Sequence, residues 1–120
     1  MSEVEALLAK YDIRPPRCGA GCGNGWLPLI EALIVDLIAL GWDRNCAQVK
    51  EKLGSLRFYI DGVETPEIRA RIGAAESLSS QTCERCGKPG RILREGWVLA
   101  CECEDCHKLR LERNARTLVD

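Results

Sequence analysis

Between residues 26 and 40 the chain is apolar almost without interruption. Trp26, Leu29, Ile30, Leu33, Ile34, Leu37 and Ile38 recur at three- and four-residue intervals and leave a narrow polar edge. That periodicity predicts a central core helix, capped by Asn24 or Gly25, tolerant of Pro28 in its first turn and stopped by Gly41. The period then changes. Ala47 and Val49 alternate with Gln48 and Lys50, and Leu56, Phe58 and Ile60 alternate with Arg57 and Tyr59, across a turn at Gly54-Ser55. Alternation on both sides of a turn predicts a β-hairpin with one face on the helix. Its other face carries Lys50, Lys52, Arg57 and Tyr59 outward. Two further helices flank this unit. One covers residues 2–10, with Ser2 as N-cap, Glu5 in the first turn and Val4, Leu7 and Leu8 on one face. The other opens at Thr65-Pro66-Glu67, where Thr65 caps and proline suits the first helical position. Its stripe is Ile68, Ile72, Ala75 and Leu78, ending at Ser79 or Ser80.

Past residue 82 the apolar pattern thins and cysteine takes over. Cys83-Glu84-Arg85-Cys86 and Cys103-Glu104-Asp105-Cys106 are separated by sixteen residues. Each Cys-x-x-Cys pair supplies two thiolates to one tetrahedral ion, and soft sulfur selects zinc over magnesium or calcium. Four thiolates leave no open position, so the expected Zn²⁺ is structural. Cys101 is an alternative to Cys103, and His107 to Cys106. The segment divides into a knuckle at 83–87, a turn at Pro89-Gly90, strands at 91–94 and 97–100 joined by Glu95-Gly96, and a helix at 104–118. Leu109, Leu111 and Leu118 are that helix's expected apolar contacts. Knuckle, hairpin and a helix whose first turn carries the second pair make a treble-clef, zinc-ribbon-like finger. The fold class is therefore α+β: a core at 1–82 built on a helix and a hairpin, and a treble-clef finger at 83–120 packed on it.

Composition narrows the setting. The chain has 120 residues, 46% hydrophobic and 29% charged, with eight cysteines and a net charge of −1. Eight cysteines in a secreted chain would suggest disulfides, but the first ten residues hold Glu3 and Glu5 and lack the basic flank of a signal peptide. A reducing cytoplasm with metal-bound thiolates is the simpler setting. The longest apolar run spans fifteen residues and contains Glu31 and Asp36, which is short of the ~20 a membrane span needs. Charge by segment is −3 over 1–43, +1 over 44–82 and +1 over 83–120. No segment has the basic excess of a sequence-independent nucleic-acid binder.

The remaining chemistry is sparser. Cys18, Cys22 and Cys46, joined by Cys101 or His107, form a second zinc site on one reading and unligated thiols beside a Gly-rich turn on the other. The loop Cys22-Gly-Asn-Gly-Trp26 lacks the Gly-Lys-Ser/Thr of a phosphate-binding loop and is expected to be a tight turn that lets Trp26 into the core. Lys50, Lys52, Arg57 and Tyr59 suit phosphates, a stacked base or an acidic protein surface; the plainer alternative is a solvated strand face whose lysines block edge pairing. Lys108, Arg110, Arg113 and Arg116 offer a cationic face on the last helix, or simply a solvated one. Catalysis finds little support, because the single histidine lies inside the metal segment; a hydrolase with a carboxylate site is the third reading.

As a set, Gly25-Trp26 opening an apolar helix, Val49-Lys-Glu-Lys-Leu-Gly-Ser-Leu-Arg-Phe-Tyr59, Cys83-Glu-Arg-Cys-Gly-Lys-Pro-Gly90, Gly96-Trp97 and a closing Cys/His pair resemble a group of small phage and prophage proteins of bacterial genomes. The likeness covers about residues 22–107. In that group the closing pair often runs Cys-x-x-His, where this chain has Cys103-x-x-Cys106. The resemblance implies a bacterial cytoplasmic setting and a phage origin, and brings no activity with it. The expectation is a non-enzymatic, zinc-stabilised binding protein that modulates a host protein, such as a defence or transcription component. Lys50, Lys52, Arg57 and Tyr59 would form its partner face. The rival is a nucleic-acid-binding regulator using the finger's helix and the same hairpin face.

Overall fold

A computed structural model describes residues 2–14, 16 and 19–119, with backbone only for 116–119. Helix α1 spans Glu3–Lys10 and opens on a capping box: the Ser2 hydroxyl accepts from the Glu5 N–H at 3.1 Å, and the Glu5 carboxylate accepts from the Ser2 N–H at 3.0 Å. Strand β1 (Ala20–Gly21) follows, and a 3₁₀ turn at Asn24–Trp26 leads directly into α2 (Leu27–Ala39). No side-chain cap precedes α2; the 3₁₀ turn stands where Asn24 or Gly25 was expected to cap. Gly41, at φ 94°, takes the left-handed conformation that ends the helix.

Strands β2 (Cys46–Lys52) and β3 (Ser55–Ile60) are the antiparallel hairpin, with β1 parallel to β2 in the order β1-β2-β3. The turn falls at Leu53-Gly54, one residue earlier than expected. Both residues have positive φ, 54° and 88°, as a two-residue I′ turn requires. Val49, Phe58 and Leu56 face inward and meet Leu29, Ile30, Leu33, Ile34 and Leu37 of α2 in one core. Trp26 is wholly buried there, and Trp42 packs edge-on to Phe58 at 5.9 Å.

Helix α3 (Pro66–Ser79) is capped by Thr65, whose hydroxyl accepts from the Ile68 N–H. It buries Ile68, Ile72, Ala75 and Ser79, while Leu78 is 52% exposed, contrary to the stripe expected from sequence. The reason lies in the sheet. Strand β3 is an edge, and its outward N–H groups need acceptors: Leu56 donates to the Ser79 hydroxyl at 2.8 Å and Phe58 to the Glu76 carboxylate at 3.2 Å. A serine at the buried position satisfies an N–H that a leucine would orphan.

The chain then forms the knuckle, a two-stranded sheet of β4 (Arg91–Glu95) and β5 (Val98–Glu102), and α4 (Glu104–Val119). Its turn is Gly96-Trp97, again one residue from the expected place, with Gly96 at φ 61°. The Leu109 side chain, expected as an apolar contact, is 62% exposed; that of Leu118 lies outside the described residues. No helix among the described residues is long and apolar enough to cross a membrane.

Candidate metal centre

The knuckle after α3 carries Cys83 and Cys86, and the start of α4 carries Cys103 and Cys106. Their four sulfurs all lie within 4.8 Å of one another, with Cys86 and Cys103 Sγ 3.6 Å apart. A tetrahedron with Zn–S bonds of about 2.3 Å has edges of about 3.8 Å, so the donor set and its spacing fit one Zn²⁺. Backbone amides already favour thiolate. The Cys106 N–H donates to Cys103 Sγ at 3.4 Å. Burial works against ionisation of Cys83, but the N–H groups of Cys103, Cys86 and Arg85 outweigh it and bring the thiol to about 7. Burial and the neighbouring Cys103 and Cys86 thiols push Cys106 up instead. Four crowded thiols do not all ionise alone, and a dication resolves the conflict.

The alternatives for the ligand set fall away on geometry. Cys101 is fully buried in the hydrophobic core, not in the cluster, and burial raises its thiol to about 11. The His107 ring nitrogen Nδ1 sits 3.2 Å from the Glu102 carboxylate. Cys46 is buried and Cys22 packs against the core, and burial pushes both thiols up to about 12. Among the described residues, neither joins a group of metal-ligating side chains. Cys18 lies outside the described residues.

Two features beside the cluster escaped the sequence reading. The first is Glu102, 2% exposed and flanked by the two strand-end cysteines. Arg85, from within the first Cys pair, reaches it at 3.3 Å; Arg110 of α4 reaches it at 2.9 Å, and His107 at 3.2 Å. One carboxylate thus joins the knuckle to the helix that bears the other pair. Burial alone would raise its pKa, but His107 and Arg110 lower it. The same bond turns Arg110 inward, so it is not part of a solvent face on α4; the Arg116 side chain lies outside the described residues.

The second feature is the docking of the knuckle on the Gly-rich loop. The Gly25 N–H donates to the Glu84 carbonyl at 2.7 Å, the Gly23 N–H to the Glu84 carboxylate at 2.8 Å, and Trp26 Nε1 to the Thr82 carbonyl at 2.8 Å. A Cβ on Gly23 would strike the Glu84 carbonyl, and one on Gly25 the Cys83 carbonyl. Gly23 and Gly25 are the glycines on which the cysteine knuckle lies. Their spacing to Cys83, across some sixty residues, carries no local signal.

The hairpin residues do share one face. Gln48 pairs with Tyr59, Lys50 with Arg57 and Lys52 with Ser55, all opposite in sense to the buried Val49-Phe58 pair. Those six positions hold three cations and no carboxylate. Arg57 donates to the Ser55 hydroxyl at 2.9 Å, while Lys50 and Lys52 form no ion pair among the described residues. Three of the nearby acids are engaged elsewhere: Glu51 accepts from the Gly54 N–H, Glu76 from Phe58 and Glu84 from Gly23. Charge summed by segment therefore hid a basic face. A separate cavity of about 350 Å³ is lined by Gly23, Glu51, Glu84, Arg85, Glu102 and Arg110, among others. Burial raises the Glu84 pKa there, although the Gly23 N–H opposes the shift.

Comparison with protein-family models, curated proteins and solved structures finds no match to this chain. What it is rests on its own residues: a mixed α+β protein with a four-cysteine site built to hold one metal ion.

Proposed function

We propose that the chain is a non-enzymatic binding protein, phage-encoded and acting in the bacterial cytoplasm, that docks on an acidic surface of a host protein and modulates it. Inhibition of a defence or transcription component is the form this takes. One structural zinc, in a treble-clef finger, holds the body rigid. The observation that carries the reading is the open β2–β3 face, where Lys50, Lys52 and Arg57 surround Tyr59 with no carboxylate among them. Arginine and tyrosine are enriched where protein partners meet, and a cationic rim speeds encounter with an acidic patch. The nucleic-acid rival keeps this face but loses Arg110 from the finger helix, since that side chain is committed to Glu102.

The test is capture from bacterial lysate on zinc-loaded protein, with nuclease, followed by quantitative binding of the purified partner. The expected result is one stoichiometric protein that survives nuclease and is lost when Lys50 and Arg57 are both changed to glutamate. Binding indifferent to that double change would reduce the face to a solvated strand surface. Recovery that vanishes with nuclease would make the rival correct.

A further inference from the structure

Three tryptophans occur in the chain, and the structure treats one of them differently. Trp26 is 0% and Trp42 5% exposed, whereas Trp97 is 97% exposed at the tip of the β4–β5 hairpin. A fully solvated indole forgoes the burial of some 150–250 Å² that an aromatic side chain ordinarily gains. Its support is nevertheless firm. Gly96, at φ 61°, takes the first central position of a two-residue turn, and Arg94 Nε donates to the Gly96 carbonyl at 3.2 Å, holding its guanidinium at the same tip. The hairpin is anchored at both ends by the metal cluster, with Cys86 before β4 and Cys103 after β5.

The charge around it is one-sided. Residues 85–98 contain Arg85, Lys88, Arg91 and Arg94 against Glu95 alone, in a chain whose net charge is −1. Arg85 is engaged by Glu102, which leaves Lys88, Arg91 and Arg94, all exposed. Neither Lys88 nor Arg91 forms an ion pair among the described residues. A narrow, convex tip offers little of the roughly 800 Å² per partner that a standard protein interface buries. It suits a ligand that needs only one flat aromatic surface and a cation beside it.

The geometry points to a binding site for single-stranded nucleic acid on this hairpin. A base stacks on the Trp97 indole, and the adjoining phosphate is met by Arg94, whose guanidinium is held at the same tip; Arg91 and Lys88 add positive charge along the hairpin. Stacking tolerates any base, since every base has a π-face, so the site selects for single strands over sequence. It is separate from the β2–β3 face proposed above and does not depend on it.

The test titrates zinc-loaded full-length protein into an end-labelled short oligothymidylate at low salt, following the anisotropy of the label in every variant and tryptophan fluorescence in the parent. Because Trp26 and Trp42 are buried, quenching reports on Trp97. Quenching with saturation is expected, with affinity falling about 5- to 150-fold in Trp97→Ala and largely kept in Trp97→Phe. One phosphate contact gives a slope of log affinity against log salt near −0.7, and Arg94→Ala should bring it close to zero. Zinc content and thermal unfolding of Trp97→Ala should match the parent, since the side chain touches almost nothing. Binding of equal strength in Trp97→Ala, equal binding of polyglutamate or inorganic polyphosphate, or no binding at all would each overturn the proposal.

Discussion

In residues 2–80 each helix, and both strands of the hairpin, send an apolar row inward; in residues 83–115 the buried positions are Cys83, Cys101, Glu102 and Arg110. The first region is held by hydrophobic burial, where each fully buried leucine, isoleucine or phenylalanine is worth about 1.5–3 kcal/mol. The second has a solvated hairpin and a helix whose Leu109 faces water. What it has in place of an apolar core is the charge cluster at Glu102 and a four-cysteine site able to hold one metal ion. Apolar cores tolerate the loss of one member and weaken by degrees. A metal-and-charge core has few members, and each is indispensable.

The comparison breaks most sharply on metal removal. Structural zinc supplies roughly 10–16 kcal/mol of apparent binding energy at neutral pH, and on the function proposed above this would be folding energy for residues 83–115. Chelation, or Cys83→Ser, should abolish hydrogen-exchange protection in β4, β5 and early α4 while α2 keeps most of its own. Trp26 should shift toward the red, since its Nε1 bond to Thr82 is at the boundary. Protection of β4 and β5 unchanged without metal would mean that zinc is not the staple.

Glu102→Gln comes next. It leaves Arg110 buried without its counter-charge, a loss of about 3–5 kcal/mol in denaturant unfolding of the zinc-loaded protein. The pH dependence supplies the sign. The carboxylate is held below its ordinary range, so its stabilisation is complete above the unfolded value of about 4.3 and lost as pH falls through the lowered folded one. The gap between parent and Glu102→Gln should accordingly close in acid. A gap that is constant with pH would assign the effect to packing.

How much of this was legible in the sequence follows the same division. The apolar period located α2 and the β2–β3 hairpin, and the Cys spacing located the four cysteines that cluster, because both signals are local or nearly so. The turn at Leu53-Gly54 was placed one residue late, since a glycine signals positive φ but does not say whether it is the first or second turn residue. Ser79 in place of Leu78 depended on an unpaired strand edge, which only the assembled sheet reveals. The parallel pairing of Ala20 with Val49 is too short to leave a pattern. Glu102 looked like any solvated glutamate between two cysteines. Arg85, His107 and Arg110 make it a buried centre only once the chain folds back on itself.

Where the two regions meet, Gly25 is the sensitive point. Adding a methyl there would press on the Cys83 carbonyl and the Gly87 amide, both backbone atoms of the knuckle. Gly25→Ala should cost about 1–3 kcal/mol as overpacking and should weaken zinc retention against a chelator together with core stability. Loss of core stability with zinc retention intact would show the two regions to be less coupled than these hydrogen bonds imply.

Gly73 provides the smallest and most discriminating contrast, because it separates glycines needed by contact from those merely tolerated. It lies inside α3, between Ile72 and Ala74, and a Cβ built there meets nothing within 4 Å. Its φ is not in the left-handed region, so alanine adopts the same backbone without strain. Gly73→Ala should raise stability by about 0.8–1 kcal/mol, through helix propensity and a less flexible unfolded chain. Because Gly73 lies two turns from the end of α3, and α3 supports the sheet edge through Glu76 and Ser79, zinc affinity should stay unchanged. Equilibrium unfolding alongside chelator competition reads both quantities. A gain in stability with constant zinc affinity would place α3 wholly within the apolar region. A parallel gain in zinc affinity would mean that the region held by burial helps to set the geometry of the region held by metal.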